Sequence, residues 1–217
     1  MSVRLAVFDC DGTLVDGQAE VCHAMDAAFR SCGLAAPDHH QVRRIVGLSL
    51  PQAMRLLAPQ GDQPLHTELD RAYRDAFRAA REAGRLVEPL YDGMADLLAR
   101  LDTAGWMLGV ATGKSQRGLE HCLATHGLRP LFVTLQTADG HPSKPHPAML
   151  QAAMAEAGTE PDTTVMIGDT SFDIDMACAA GVRAIGVDWG YHTTEELFAA
   201  GAAAVARTPE ELGDLLP

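Results

Sequence analysis

Six short apolar runs, at residues 5–8, 107–111, 131–135, 165–167, 184–187 and 202–206, recur along this chain with helix-like stretches between them. A strand buried on both faces reads as a continuous apolar run, and a crossover helix between two such strands lets them pair in parallel. The alternation therefore predicts an α/β fold, a Rossmann-like doubly wound parallel sheet with helices on both faces. Polar or glycine-containing turns close the runs: DCDG after the first, TGK after the second and GDTS after the fourth. Sites in open parallel sheets gather at the carboxyl ends of the strands, so all three turns are expected to face one crevice.

Residues 16–87 break this rhythm, because they put far more chain between the first two runs than a crossover needs, and their pattern is helical throughout. They are expected to form a small helical cap domain inserted into a core domain of residues 1–15 and 88–217. Its first helix is expected over 18–32, with Val21, Met25, Ala28 and Phe29 on one face and Gly33 closing it. The last is expected over 65–83, where Leu69, Tyr73, Ala76, Phe77 and Ala80 form one stripe and Arg71, Arg74, Arg78, Arg81 and Arg85 another. An arginine row can hold an anion. Asp70, Asp75 and Glu82 nevertheless stand at helical pairing distance, which makes a solvated, ion-paired face the simpler reading.

Charge narrows the partners. Of 217 residues, 29 are acidic and 17 are lysine or arginine, a formal charge of -12 that opposes nucleic acid and anionic membranes. The insertion is balanced, with nine acidic residues and nine arginines, so the core carries the whole excess. No stretch approaches the roughly 18 apolar residues of a membrane-spanning helix, and Asp9 cuts the first apolar run before it reaches export-signal length. The five cysteines (Cys10, Cys22, Cys32, Cys122 and Cys178) form no CxxC pair and cannot all be bridged, which fits a reducing, cytoplasmic setting.

Asp9 and Asp11 flank Cys10 directly after the first run, so alternation points both carboxylates one way and the cysteine the other. Two close carboxylates require a proton or a cation between them. An ionised Asp9 can then attack an electrophile, and a protonated Asp11 can donate and later withdraw a proton. DxD alone is equally well read as two turn aspartates beside Gly12. Near the other end, Asp169 and Asp173 are one helical turn apart after the fourth run; with Asp9 they form an oxygen set suited to Mg2+. Asp175 is expected to face solvent. Lys144, one of only two lysines, lies in SKPHP, where prolines stiffen the backbone, so it can offset a phosphate and part of the acidic cluster. Thr112-Gly113-Lys114 offers a hydroxyl and backbone N–H groups at a helix start, a phosphate cradle in which Lys114 is expected to face solvent. No GxxxxGK[ST] motif supports a nucleotide-hydrolysing P-loop.

As a set, FDCDGTLVD at 8–16, VATGK at 110–114, SKPHP at 143–147 and GDTSFDID at 168–175 resemble the four motifs of the haloacid dehalogenase superfamily, in order and spacing over the whole chain. The resemblance is closest to its phosphoglycolate phosphatase-like branch. It implies a Mg2+-dependent phosphatase acting on a small phosphorylated metabolite through an aspartyl-phosphate at Asp9. Asp11 is the implied acid and base, and Thr112, Gly113 and Lys144 hold the phosphate. Asp9, the Asp11 carbonyl and Asp169 ligate the metal, and Asp173 supports it. Asp11 argues against the dehalogenase branch, and a cap without lysine excludes Schiff-base phosphonate cleavage. Phosphomutase and pyrophosphatase relatives remain alternatives. In the cap loop 43–49, Arg43 and Arg44 are candidates for contacting the substrate or simply for pairing with local acids. A phosphoaspartate signalling module is the rival from another class, although such modules carry no helical insertion.

Overall fold

The computed structural model describes residues 3–216; residues 1, 2 and 217, the ends of the expected core domain, lie outside the described residues. Strands β1 (Arg4–Phe8), β2 (Trp106–Thr112), β3 (Phe132–Thr137), β4 (Thr164–Gly168), β5 (Arg183–Val187) and β6 (Ala204–Ala206) form one parallel sheet in the order β3-β2-β1-β4-β5-β6. The chain winds outward from β1 through β2 to β3, then returns to β1's other edge with β4. The order therefore reverses at β1, and a crevice opens at that strand's carboxyl end.

Alternation along β1 feeds two cores. Ala6, Phe8 and Cys10 pack with Leu98, Leu119 and Leu212, under helices α5 (Met94–Thr103), α6 (Gln116–Thr125) and α10 (Pro209–Leu215). Leu5 and Val7 pack on the opposite face with Met149, Ile174 and Leu197, under α7 (Ala148–Ala157), α8 (Ser171–Ala179) and α9 (Thr194–Ala200). The second and third strands outrun their apolar patterns, ending in polar Thr112 and in Gln136 and Thr137, which are buried at the site end of the sheet. The run at 202–206 becomes strand only from Ala204, after the Ala203 N–H bonds to the Ala184 carbonyl.

Of the five helices between β1 and β2, the first four, α1 (Gln18–Ser31), α2 (His39–Arg44), α3 (Leu50–Leu57) and α4 (Gln63–Glu82), make up the insertion. They share their own core, in which Val21, Met25, Phe29, Val42, Met54 and Leu69 are buried. Asp62 caps α4, accepting from the Leu65 N–H at 3.0 Å, so that helix starts two residues before the expected start at 65. The two connections to the sheet run side by side: the Asp16 N–H bonds to the Pro89 carbonyl at 2.8 Å and the Tyr91 N–H to the Leu14 carbonyl at 3.1 Å. Val15 and Leu90 are bridged antiparallel between them.

Candidate active site

The turn after β1 brings the first acidic residues to the reversal point. The Asp9 N–H bonds to the Ile167 carbonyl at 2.9 Å, continuing the ladder with β4, and Gly12 turns the chain with φ at 86°. A Cβ on Gly12 would lie 2.2 Å from Asp169 Oδ2, so only glycine allows the two ends of the chain to approach this closely. Asp9 is fully buried. Its Oδ1 accepts from the Cys10 N–H at 2.6 Å, whereas Oδ2 lies 3.0 Å from Lys144 Nζ without hydrogen-bond geometry and has no hydrogen-bond partner. Lys144, also fully buried, donates to Asp173 Oδ1 at 2.6 Å. The other Asp173 oxygen accepts from the Thr170 N–H and hydroxyl, the reach-back expected at the start of α8. Asp169 accepts from the Thr13 hydroxyl at 2.9 Å and the Tyr191 N–H at 3.0 Å.

Asp9, Asp169 and Asp173 thus offer three carboxylate oxygens within 4.8 Å of one another, all sealed from water, with one ammonium among them. Burial pushes Asp9 up to about 7, with Lys144 opposing and Asp173 adding to the shift; burial and the same acidic neighbours push Asp169 well above the carboxylate range. Burial also works against the charge on Lys144, but Asp173 and Asp9 outweigh it and hold its pKa above the usual value. Three buried acids against one ammonium leave an excess that a hard divalent cation would neutralise. The orphaned Oδ2 of Asp9 and the spare lone pairs of Asp169 are suitable oxygens to hold it. Asp173, whose two oxygens are already engaged, holds Lys144 in place. Asp175, as expected, is exposed.

Asp11 belongs to a second charge cluster, and here the structure corrects the sequence reading of Lys114. Instead of facing solvent, Lys114 is largely buried and binds both Asp11 oxygens, at 2.7 and 3.0 Å, and Glu88 Oε1 at 2.7 Å. Burial disfavours the ammonium, but Asp11 and Glu88 outweigh it and hold its pKa well above normal. Both lysines of the chain therefore lie at this crevice. Thr112, buried at the end of β2, accepts from the Lys114 N–H through its hydroxyl oxygen and keeps its own proton to donate. A Cβ on Gly17 would stand 2.8 Å from Asp11 Oδ1, so the glycine there leaves room for the carboxylate to turn toward Lys114.

The helical insertion is seated directly on this crevice. A Cβ on Gly47 would lie 3.7 Å from Asp9 Oδ2, and one on Gly113 would strike the Leu48 and Gly47 carbonyls at 2.5 and 2.6 Å. The Ser49 N–H bonds to Ser143 Oγ at 2.7 Å. Neither Arg43 nor Arg44 lines the cavity between the two parts. Arg44 instead pairs bidentately with Glu196 of α9, at 2.5 and 2.8 Å, and its carbonyl accepts from His192 Nε2 at 3.2 Å. Burial lowers the His192 pKa, and its Nδ1 accepts from the Ser171 N–H at 3.0 Å, which fixes the neutral tautomer that donates to the insertion. Beneath the insertion lies a cavity of about 500 Å3 whose floor includes Asp11, Thr112, Gly113 and Lys114.

Glu88, Glu196 and His192 carry no motif, so sequence reasoning passed over them. Lys114 did carry a signal, since the scarcity of lysine that singled out Lys144 applies to it equally.

The haloacid dehalogenase-like hydrolase family matches residues 6–187. The chain is 38% identical over 213 residues to a probable phosphatase, IndB, of Dickeya dadantii, covering 96% of this chain and 91% of that protein. It is 28% identical to a phosphoglycolate phosphatase of Vibrio vulnificus, covering 99% and 96%. The crystal structure of a predicted phosphatase from Clostridium acetobutylicum superposes with a TM-score of 0.89 at 26% identity, over 100% of this chain and 99% of that one.

Proposed function

This chain belongs to the haloacid dehalogenase-like hydrolases and is a phosphatase of phosphoric monoesters, and from that premise we propose that it hydrolyses a small phosphorylated metabolite through a covalent phosphate on Asp9. The observation that carries this reading is the convergence of Asp9, Asp169 and Asp173 within 4.8 Å around an ammonium. An Asp9 oxygen attacks phosphorus as the bond from phosphorus to the alcohol oxygen breaks, and the Asp11 carboxyl gives its proton to the departing alkoxide. The Asp11 carboxylate then takes a proton from water, whose oxygen attacks phosphorus, freeing phosphate and restoring the Asp9 carboxylate. The Thr112 hydroxyl, the Gly113 N–H and the Lys144 ammonium hold the phosphoryl oxygens, and Asp173 keeps Lys144 aimed at Asp9. Asp9, Asp169 and the Asp11 carbonyl would hold Mg2+, whose charge offsets that of the acids and the phosphate dianion.

Residues 16–87 act in this reading as a cap that lifts about the paired connections at Val15 and Leu90, since Asp9 is sealed while the cap is seated. Steady phosphate release from p-nitrophenyl phosphate, abolished by a chelator and restored by Mg2+, is the expected result. Asp9→Asn is expected to lower that rate at least a thousandfold; a variant as fast as the parent protein rules out covalent catalysis at this residue. A signalling module, by contrast, would take up phosphate once without continued release.

A further inference from the structure

The cavity above Asp11 is larger and more apolar than a two-carbon leaving group requires. Its volume of about 500 Å3 lies within the range of pockets that enclose ligands of many atoms, and Val21, Met25, Val46, Leu48, Tyr73 and Phe77 wall it on the cap side. Tyr73 and Phe77, with ring centroids 5.0 Å apart, present a ring surface, and Lys114 Nζ lies 6.0 Å from the Phe77 centroid. One more turn of α4 brings Arg81 into the same wall. Successive positions four residues apart rise by about 6 Å, so Arg81 stands roughly one ring-length beyond Phe77.

The cationic groups along this wall differ in what they already hold. Arg74 pairs with Asp70 and Asp139, Arg78 pairs with Asp75, and Lys114 is claimed by both Asp11 and Glu88. Arg81 and, across the cavity on α6, Arg117 take part in no ion pair or hydrogen bond among the described residues, and Arg81 Nε is buried without a partner. A buried guanidinium nitrogen left unpaired beside a cavity needs an acceptor, and an anionic one suits a fork of donors best.

We propose that the alcohol half of the substrate is a ring-sized, largely apolar body that ends in a second anionic group, seated against Tyr73 and Phe77 and paired by Arg81 and Arg117. The proposal rests on the phosphatase reading above and narrows its substrate class. In phosphoglycolate only about two carbon–carbon and carbon–oxygen bonds of roughly 1.5 Å separate the ester oxygen from the carboxyl carbon. Its carboxylate therefore ends near Lys114, beside two acids, about a ring-length short of Arg81.

Three phosphomonoesters test the proposal: phosphoglycolate, phenyl phosphate and 4-carboxyphenyl phosphate. The protein is expected to turn over 4-carboxyphenyl phosphate with a kcat/KM at least tenfold above phenyl phosphate and above phosphoglycolate. Arg81→Gln and Arg117→Gln are each expected to reduce the ratio between the two aryl esters several-fold, most of the change appearing in KM. Thermal shifts with 4-(phosphonomethyl)benzoate and benzylphosphonate, which cannot be hydrolysed, are expected to show the same preference without turnover. A ratio near one, a ratio that neither substitution changes, or phosphoglycolate as the best of the three overturns the subsite while phosphatase activity stands. No hydrolysis of any ester, even with Mg2+ present, overturns the phosphatase reading and this one with it. Should Arg81→Gln not fold, the ratio in Arg117→Gln decides.

Discussion

Asp11 is held by Lys114 on both oxygens, yet to serve as the proposed acid it has to reach a leaving oxygen over Asp9. The room for that carboxylate comes from a missing atom, the Cβ of Gly17, which would sit 2.8 Å from Oδ1. Gly17 has an ordinary φ of -93°, so a larger residue there meets a steric obstacle and no backbone strain. Gly17→Ala is therefore expected to displace the acid. A displacement of about 1 Å can cost a hundredfold in rate, so kcat for esters of poorly acidic alcohols should fall by about 10- to 100-fold. p-Nitrophenyl phosphate, whose leaving group scarcely needs a proton, should lose far less, and parallel kinetics on the two ester types check the difference. The convergence of Asp9, Asp169 and Asp173 was legible because the first two sit at strand ends and the third one helical turn into α8. The use made of Lys114 was not, because Glu88 reaches it across the return from the insertion, and a local pattern does not say what stands opposite a side chain. The same limit affected α4: Arg71, Arg74 and Arg78 pair along the helix as their spacing predicts, while Arg81 turns inward.

At the scale of elements, the seated insertion depends on close backbone approach and on charged pairs to the core, Arg44–Glu196 and Arg74–Asp139. A Cβ at Gly113 would lie within 2.6 Å of two carbonyls of the cap loop, and neither carbonyl is a flexible side-chain end that can swing aside. Gly113→Ala is expected to hold the cap loop off the sheet, lowering kcat/KM at least tenfold and raising hydrogen exchange at residues 45–50. The Arg44–Glu196 clasp is partly exposed on both sides, so it contributes at most about 1 kcal/mol. Glu196→Gln should therefore change KM no more than about five-fold, and high salt should erase the difference. The Arg44 hydrogen bond lowers the Glu196 pKa from 4.5 to about 2. A depressed acid contributes above its unperturbed value and loses that contribution as the pH falls toward the lower one, so the variant's KM difference should be constant from about pH 5 to 8. The strands were readable as apolar runs and the insertion as an interruption of them. The docking of one upon the other was not, because it rests on Gly47, Gly113 and His192, which meet only in the folded chain.

For the whole molecule, a small part of the acid excess is internal. Three carboxylates are buried where the strand order reverses, and Asp9 has a pKa of about 7 against an unperturbed 3.8. An acid whose folded value is raised weakens the metal-free fold as pH climbs through that interval, since the charged form is the costlier one in the interior. A divalent ion bound only by the folded state opposes this. At a hundredfold excess over its dissociation constant it adds about 2.7 kcal/mol, or roughly 5–10 °C in Tm for a chain of this length. The Mg2+-induced rise in Tm is accordingly expected to widen between about pH 4 and pH 7 and to disappear in Asp169→Asn, which calorimetry with and without chelator checks. The burial of both lysines has a practical consequence of another kind. With Lys144 enclosed and Lys114 nearly so, amine-coupling dyes and crosslinkers have no lysine on the outer surface to react with, so conjugation through lysine would report the opening of the lid instead of decorating the exterior.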